Sequence, residues 1–367
     1  MALLISDRSG NSKMSRTFLN LAFGSASGIG GSERRMLELV HELKSRDINI
    51  RAMVPGPAES PLNLELRKAG ASTAIYRSPA SLAIQSARSR ARATWAFGAR
   101  AAIPLLIARK TPSWRGGRLL VAKNGLDAYR SRWTIALESR FMRSADLVIA
   151  NSSAAATQAT TRTRIPRYKV LVLPSALPSE WHVPSARSQH DRVRIGMIGN
   201  DRPEKQHALG VRVFCELQDE GTTLTIFTNR GGNVRTILES AEARVARRVS
   251  IHEAVPVTPS IMSDLDVLLH PSSSESLPRV ALEARSQGVW VVGFDVGDLA
   301  QYCEAVVPWG DESGLRNSLS RACEQVRQGK RPSHTNVLGV PEYADALLAT
   351  LDIKSSLSAD SEGEVPG

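Results

Sequence analysis

Cysteine is scarce in this chain: there are three, Cys215, Cys303 and Cys323, at wide and motif-free spacings. An odd number placed in this way offers neither a disulfide framework nor a metal site, and it suits reduced thiols in a cytoplasmic compartment. Long apolar runs are missing too. The longest apolar stretch of the basic half, Ala99 to Ala108, is interrupted by Arg100 and Pro104 and is too short to span a bilayer. Met1 to Arg16 is polar and Ser-rich, with no apolar stretch of signal-peptide length before Phe18. No internal repeat is visible.

Acid is absent from one long segment. Between Leu66 and Leu126 stand Arg67, Lys68, Arg77, Arg88, Arg90, Arg92, Arg100, Arg109, Lys110, Arg115, Arg118 and Lys123, and not one Asp or Glu. The chain carries 47 Lys and Arg against 36 Asp and Glu, a formal net charge of +11; without these twelve residues, 35 basic face 36 acidic and the net is −1. One segment therefore accounts for the whole excess, and it would attract an anionic surface: phospholipid, nucleic acid or an acidic acceptor. No recognised nucleic-acid module accompanies it, so nucleic acid is not an expected partner.

What remains is the composition of an ordinary globular protein, 42% apolar and 23% charged over 367 residues, enough for two domains. Thr17 to Phe23 reads as an apolar strand, followed by the glycine loop Gly24 to Gly31, a helix over 32–45 and a strand over 48–54. Strand, loop, helix, strand is a βαβ unit and argues for a parallel sheet. Helix 62–68 and strand 72–76 continue the rhythm, which fades from Ser78 to Gly117 and returns with strand 118–122, helix 131–143 and strands 146–151 and 169–174. Pro174, Pro178 and Pro184 suggest a linker. A second alternation runs from Val193 to a helix over 311–328, and Tyr343 to Leu351 could form a last amphipathic helix. The expected units are 17–178, 190–335, a C-terminal helix within 336–353 and a disordered tail at 354–367.

Three strings carry chemistry. The first is Pro271-Ser272-Ser273-Ser274-Glu275-Ser276-Leu277-Pro278-Arg279-Val280-Ala281-Leu282-Glu283-Ala284, directly after the strand 266–270. Open α/β sheets bind ligands at the carboxyl ends of their strands, and Pro278 suits the first turn of a helix. Glu275 precedes that helix and Glu283 lies within it; eight residues of helix rise about 12 Å, so the two carboxylates could grip opposite ends of one extended ligand. Backbone N–H groups at the helix start would receive a phosphate between them. A nucleotide-sugar has this layout. The second string is Gly199-Asn200-Asp201-Arg202-Pro203-Glu204-Lys205, a basic loop after the first strand of the second half. The third is Gly28-Ile29-Gly30-Gly31-Ser32-Glu33-Arg34, whose spacing is not that of a dinucleotide fingerprint; Glu33 equally suits a helix N-terminus.

The first string resembles the Glu-x7-Glu signature of the retaining glycosyltransferases of family 4, with Ser276 where that family usually has glycine. The second resembles the family's Gly-Arg-x-x-x-x-Lys loop, with Asn200 in place of the arginine and Arg202 two residues on. The third resembles its Gly-Gly-x-Glu-Arg loop, and Glu138 to Ser153 its segment ending in Ala-Asp-x-Val-Ile. The resemblance covers Thr17 to Val54 and Arg118 to about Ala322.

The resemblance implies an α/β GT-B architecture of two Rossmann-like, doubly wound domains facing a cleft, and transfer of a sugar with retention, without metal or cofactor. The donor would be a nucleotide-sugar and the acceptor a saccharide or a lipid-linked molecule. Glu275, Lys205 and Arg202 take the catalytic roles. Glu283, Gly30, Gly31, Gly199, Asn200, Ser276, Leu277 and Pro278 take the donor. Arg88, Arg90, Arg92, Trp95 and Arg100 are expected to form an acceptor or membrane patch, giving a cytoplasmic protein able to sit peripherally on the inner face of a membrane. The family's usual N-terminal histidine is missing: His41, on the first helix, is the half's single histidine, and the loop after strand 118–122 offers Lys123, Asn124 and Gly125 instead. That change leaves a second reading, a GT-B protein that binds donor with lost or different activity, such as an epimerase-like enzyme or a non-catalytic binding protein.

Overall fold

The computed structural model describes residues 19–26, 28–126, 132–183, 191–239, 246–303, 305–333 and 335–351. The expected tail at 354–367, linker residues 184–190 and part of the helix read at 234–247 lie outside them.

The first half is a parallel sheet wrapped by helices. Its strands are β1 (Leu19–Phe23), β2 (Ile50–Pro55), β3 (Ser72–Tyr76), β4 (Ala93–Phe97), β5 (Arg118–Lys123), β6 (Leu147–Ala150) and β7 (Val170–Val172), in the spatial order β3-β2-β1-β4-β5-β6-β7. β1, β4 and β6 are buried at every position, because helices cover both faces of such a sheet and leave no polar side. Between the strands run α1 (Gly31–Ser45), α2 (Pro61–Lys68), α3 (Pro79–Arg88), α4 (Ala99–Ala108), α5 (Arg132–Met142) and α6 (Ser153–Thr161). α1 turns Met36, Leu39, Val40 and Leu43 inward at helical spacing.

The segment that gave no pattern in the sequence, Ser78 to Gly117, is α3, β4 and α4. β4 is no peripheral element: it pairs in parallel with β1 on one side and β5 on the other.

The second half repeats the plan. Strands β8 (Val193–Ile198), β9 (Thr222–Thr228), β10 (Val249–Glu253), β11 (Val267–His270), β12 (Trp290–Phe294) and β13 (Ala305–Val307) lie in the order β10-β9-β8-β11-β12-β13. The helices are α7 (His207–Glu216), α8 (Gly232–Glu239), α9 (Pro259–Ser263), α10 (Arg279–Ser286) and α11 (Glu312–Arg327).

The last helix, α12 (Val340–Thr350), leaves the second half and packs on the first. Tyr343, Ala344, Leu347 and Leu348 join the core that holds Leu39 and Leu43 of α1. Arg46 pairs with Asp345, and Arg118 donates to the Thr350 carbonyl at 2.8 Å. The outgoing and returning segments touch: the Leu177 N–H donates to Leu338 O at 2.9 Å, and the Val340 N–H to Leu177 O at 3.2 Å.

Candidate active site between the two sheets

In each sheet the chain winds outward in both directions from one pair of central strands, β1 and β4 in the first and β8 and β11 in the second. At such a switch point the loops leaving neighbouring strands part and open a crevice at the carboxyl edge. The two crevices face each other. The loop after β1 supplies Gly30 and Gly31, the loop after β8 supplies Gly199, Asn200 and Lys205, and the loop after β11 supplies Glu275, Ser276, Leu277 and Pro278. With Glu283 of α10 they line one cavity of about 330 Å³. An adjoining cavity of about 280 Å³ shares Ile29, Arg34, Gly199, Asn200 and Glu283 with it and continues to Phe227–Asn229 and Ala254–Val257. The cleft thus has two lobes, with Glu283 where they meet.

Lys205 and Glu275, seventy residues apart, are brought into direct contact: Lys205 Nζ donates to Glu275 Oε1. The loops that carry them are tied by the backbone, since Ser273 N–H donates to Glu204 O at 2.8 Å. Below the pair sits His270, with Nε2 at 3.7 Å from Glu275 Oε1. Burial pushes its pKa down to about 3, and the nearby Lys205 and His207 act in the same direction. It is therefore a neutral imidazole at physiological pH, and the charge beside Glu275 comes from Lys205.

Glu283 is held by the preceding turn of its own helix, accepting from Arg279 Nε at 2.8 Å through Oε1. Its Oε2 takes no hydrogen bond among the described residues. Arg279 also reaches across the cleft to Glu38 of α1, with Nη1 and Nη2 at 2.7 and 2.6 Å from its two oxygens. Burial works against the Arg279 charge, but the two carboxylates outweigh it and raise its pKa. For Glu38 burial outweighs the pairing and raises the carboxyl pKa, because the guanidinium is shared and Glu283 adds repulsion.

Close approach of backbone shapes the Glu275 loop. Gly297, at φ +61°, packs so tightly that a Cβ would stand 2.3 Å from the carbonyl oxygens of Glu275 and Ser276; glycine alone suits both the space and the left-handed conformation. The next residue, Asp298, accepts from Ser153 N at 2.5 Å and Ala154 N at 2.8 Å, capping α6 of the other half. Ser276 Oγ donates to Asn124 O at 3.1 Å, also across the cleft. Arg279, Glu38, Gly297, Asp298, His270, Arg34 and Arg35 carry no role in the sequence reading. Arg279 lies inside the first motif, His270 directly before it and Arg34 at the end of the third; Glu38, Gly297, Asp298 and Arg35 had no local signal and are placed by contacts between distant segments.

Some expected residues stand elsewhere. Arg202 is 65% exposed, lies outside the cavity and has Glu204 3.7 Å away as its ion-pair partner. Glu33 does not line the cavity; its carboxylate accepts from the Gly30 N–H at 3.0 Å and caps α1. His41 is an exposed residue of α1. The basic patch is not assembled as expected. Trp95 is fully buried in the central strand β4, where its ring stacks at a tilt on Phe97, 4.8 Å between centroids. An interior strand has no solvent face, so this tryptophan is core. Arg92 is turned to the Leu351 carbonyl at 3.3 Å. Arg88, Arg90 and Arg100 are exposed.

Two parallel sheets with opposed switch points and an acidic, cationic cleft between them define a GT-B glycosyltransferase fold. The profile described as Glycosyltransferase Family 4 matches residues 29–181, and that of Glycosyl transferases group 1 matches 192–325. The chain belongs to the group 1, family 4 type of GT-B glycosyltransferases.

A 2-deoxystreptamine glucosyltransferase of Streptomyces kanamyceticus is 34% identical over 118 residues, 31% of this chain and 30% of that protein. A 2-deoxystreptamine N-acetyl-D-glucosaminyltransferase of Streptomyces fradiae is 38% identical over 96 residues, 25% of this chain and 21% of that protein. The chain thus spans less than a third of the length of these curated relatives. Among solved structures, Anabaena HepE in complex with UDP and glucose superposes with a TM-score of 0.74 at 16% identity, over 91% of this chain and 99% of that one. WaaG, a glycosyltransferase involved in lipopolysaccharide biosynthesis, gives 0.64 at 14%, over 94% and 100%. At that identity the likeness is one of fold. No helix among the described residues is long and apolar enough to cross a membrane.

Proposed function

We propose that this protein transfers a sugar from a nucleotide-sugar to a saccharide or lipid-linked acceptor, with retention at the anomeric carbon and without a metal ion. The observation that carries this reading is the joining of Glu275, Lys205 and Glu283, from three separate elements, in one two-lobed cleft. The lobe with Lys205 and Glu275 suits the sugar and diphosphate. The lobe with Phe227, Thr228 and Asn229 suits the nucleoside, and the open oxygen of Glu283 stands between them for the ribose hydroxyls.

In this mechanism the bond between the anomeric carbon and the diphosphate breaks while the acceptor oxygen bonds to that carbon on the same face. The leaving diphosphate takes the acceptor's proton. Lys205, Arg34 and the N–H groups at the starts of α1 and α10 meet the charge that develops on it. Glu275 faces the sugar and orients the lysine.

Isothermal titration against UDP-, GDP- and ADP-sugars tests the donor half of the reading. We expect one nucleotide series to bind, with slow release of nucleoside diphosphate on incubation, unaffected by EDTA. Binding without release, whatever saccharide or lipid acceptor is added, would favour a non-catalytic donor-binding protein.

A further inference from the structure

A second, wide cavity opens outside the cleft just described. It is a groove of about 1230 Å³ in the first half, formed by the loops after β1, β2 and β3 and by the start and one face of α4. Its wall is apolar, with Ile75, Ile103, Pro104 and Ile107 among the lining side chains, and Ile107 is 54% exposed. Two cations, Arg77 and Arg100, also line it, and no Asp or Glu does. Neither guanidinium has an ion pair among the described residues, whereas Arg202, Arg212, Arg235, Arg279, Arg316 and Arg327 of the second half each have one.

The groove adjoins the cleft through a single loop. Gly24, the first residue beyond β1, lines the groove; Gly30 and Gly31, a few residues on, line the donor cavity. Both openings therefore lie on the carboxyl edge of the first sheet. A molecule seated in the groove has a short path to the sugar.

We propose that this groove binds the acceptor, and that the acceptor is an amphipathic anion: a hydrocarbon body carrying a phosphate. The proposal rests on the glycosyl-transfer reading given above and names its second substrate. The hydrocarbon covers the isoleucine and proline wall, which water solvates poorly. The phosphate pairs with Arg77 and Arg100, whose planar forks match its oxygens. A cationic acceptor ring meets two like charges and no carboxylate, so it is disfavoured by the same residues.

The experiment uses the full chain and monomeric dodecyl phosphate below its micelle concentration, titrated by calorimetry beside dodecyl maltoside, inorganic phosphate and 2-deoxystreptamine. Dodecyl phosphate is expected to bind, and the other three at least ten-fold more weakly. Arg77→Gln/Arg100→Gln should weaken dodecyl phosphate at least ten-fold and leave UDP binding unchanged. The exposed position Ile107 provides a second variant, Ile107→Glu, with the same expected effect and little risk to folding. Equal affinity for dodecyl maltoside would overturn the proposal. So would displacement of the probe by UDP, which would put it in the donor cleft, or binding to anionic phospholipid vesicles alone. If dodecyl phosphate binds as described and no nucleotide-sugar binds at all, the groove stands and its role as acceptor site in sugar transfer falls.

Discussion

Arg279 holds Glu38 through both terminal nitrogens while its Nε holds Glu283, so one guanidinium links helix α10 of the second half to helix α1 of the first. All three side chains are largely buried, with Arg279 9% exposed. A buried pair broken on one side leaves an uncompensated charge, which costs more than the pair contributes.

Glu38→Ala is therefore expected to destabilise the protein by about 3 kcal/mol, and the double variant Glu38→Met/Arg279→Met by less than that. Urea denaturation of the set measures this. Additive losses would show that the two groups do not act as a pair.

Glu283→Gln removes a charged acceptor at the junction of the two lobes. Nucleotide-sugar affinity should fall about ten-fold, or about 1.4 kcal/mol. Glu275→Gln should instead lower kcat about 100-fold with little change in donor affinity. Calorimetry and steady-state kinetics separate the two; equal, negligible effects would contradict both assignments.

Lys205 and Arg202 stand three residues apart in one loop and differ in where they point. Lys205→Ala should reduce turnover on the order of 100-fold. Arg202→Ala, at an exposed side chain outside the cavity, should change it less than about two-fold. A large effect of Arg202→Ala would mean that this arginine swings inward when donor binds.

His270 resists protonation in the fold. Its pKa is about 3 there and near 6.5 in an unfolded chain, so between those values the unfolded state takes up a proton that the folded state refuses. The stability this histidine contributes is full above pH 6.5 and is lost as pH falls, by up to about 1.4 kcal/mol per pH unit. Denaturation at pH 7 and pH 5 should show a smaller drop for His270→Asn than for the parent chain. An identical drop would assign the acid sensitivity to other groups.

Trp95 projects from β4 into the core of the first half, beside Phe97, and has no exposed surface. Trp95→Ala should cost about 3–5 kcal/mol, and Trp95→Phe distinctly less, measured by chemical denaturation. A membrane-facing tryptophan would show the reverse: near-unchanged stability and lost vesicle binding.

The fold class and the heart of the site were legible because both are written locally. A strand that ends in Gly24 to Gly31, and a Glu275-to-Glu283 string beginning on a strand's carboxyl end, state their chemistry within a dozen or so residues. Ser78 to Gly117 was not legible for a physical reason. β4 is five residues of small and aromatic side chains, buried on both faces and so without alternation. α4 carries Pro104 inside it and begins at Gly98 with φ +81°, two features that ordinarily mark the absence of a helix. The arginines that surround β4 lie in the turns and helix ends, Arg90 at φ +54° among them, so the basic run overlaid a core strand and lent Trp95 a surface role it does not have. The cross-cleft contacts of Arg279 with Glu38, and of Asp298 with α6, join residues up to 241 positions apart. No local pattern encodes such pairs.

The return of α12 to the first half means that the polypeptide passes between the lobes twice, and the two passages are laced together at Leu177, Leu338 and Val340. A single tether would let the lobes tumble about one another. Two adjacent passages act as the pin of a door: were the halves to part, the laced backbone near Leu177 would favour a swing about one line and resist twist about any other. Opening of this kind would part Arg279 from Glu38 and Ser276 from Asn124 together, admitting donor along the whole length of the mouth.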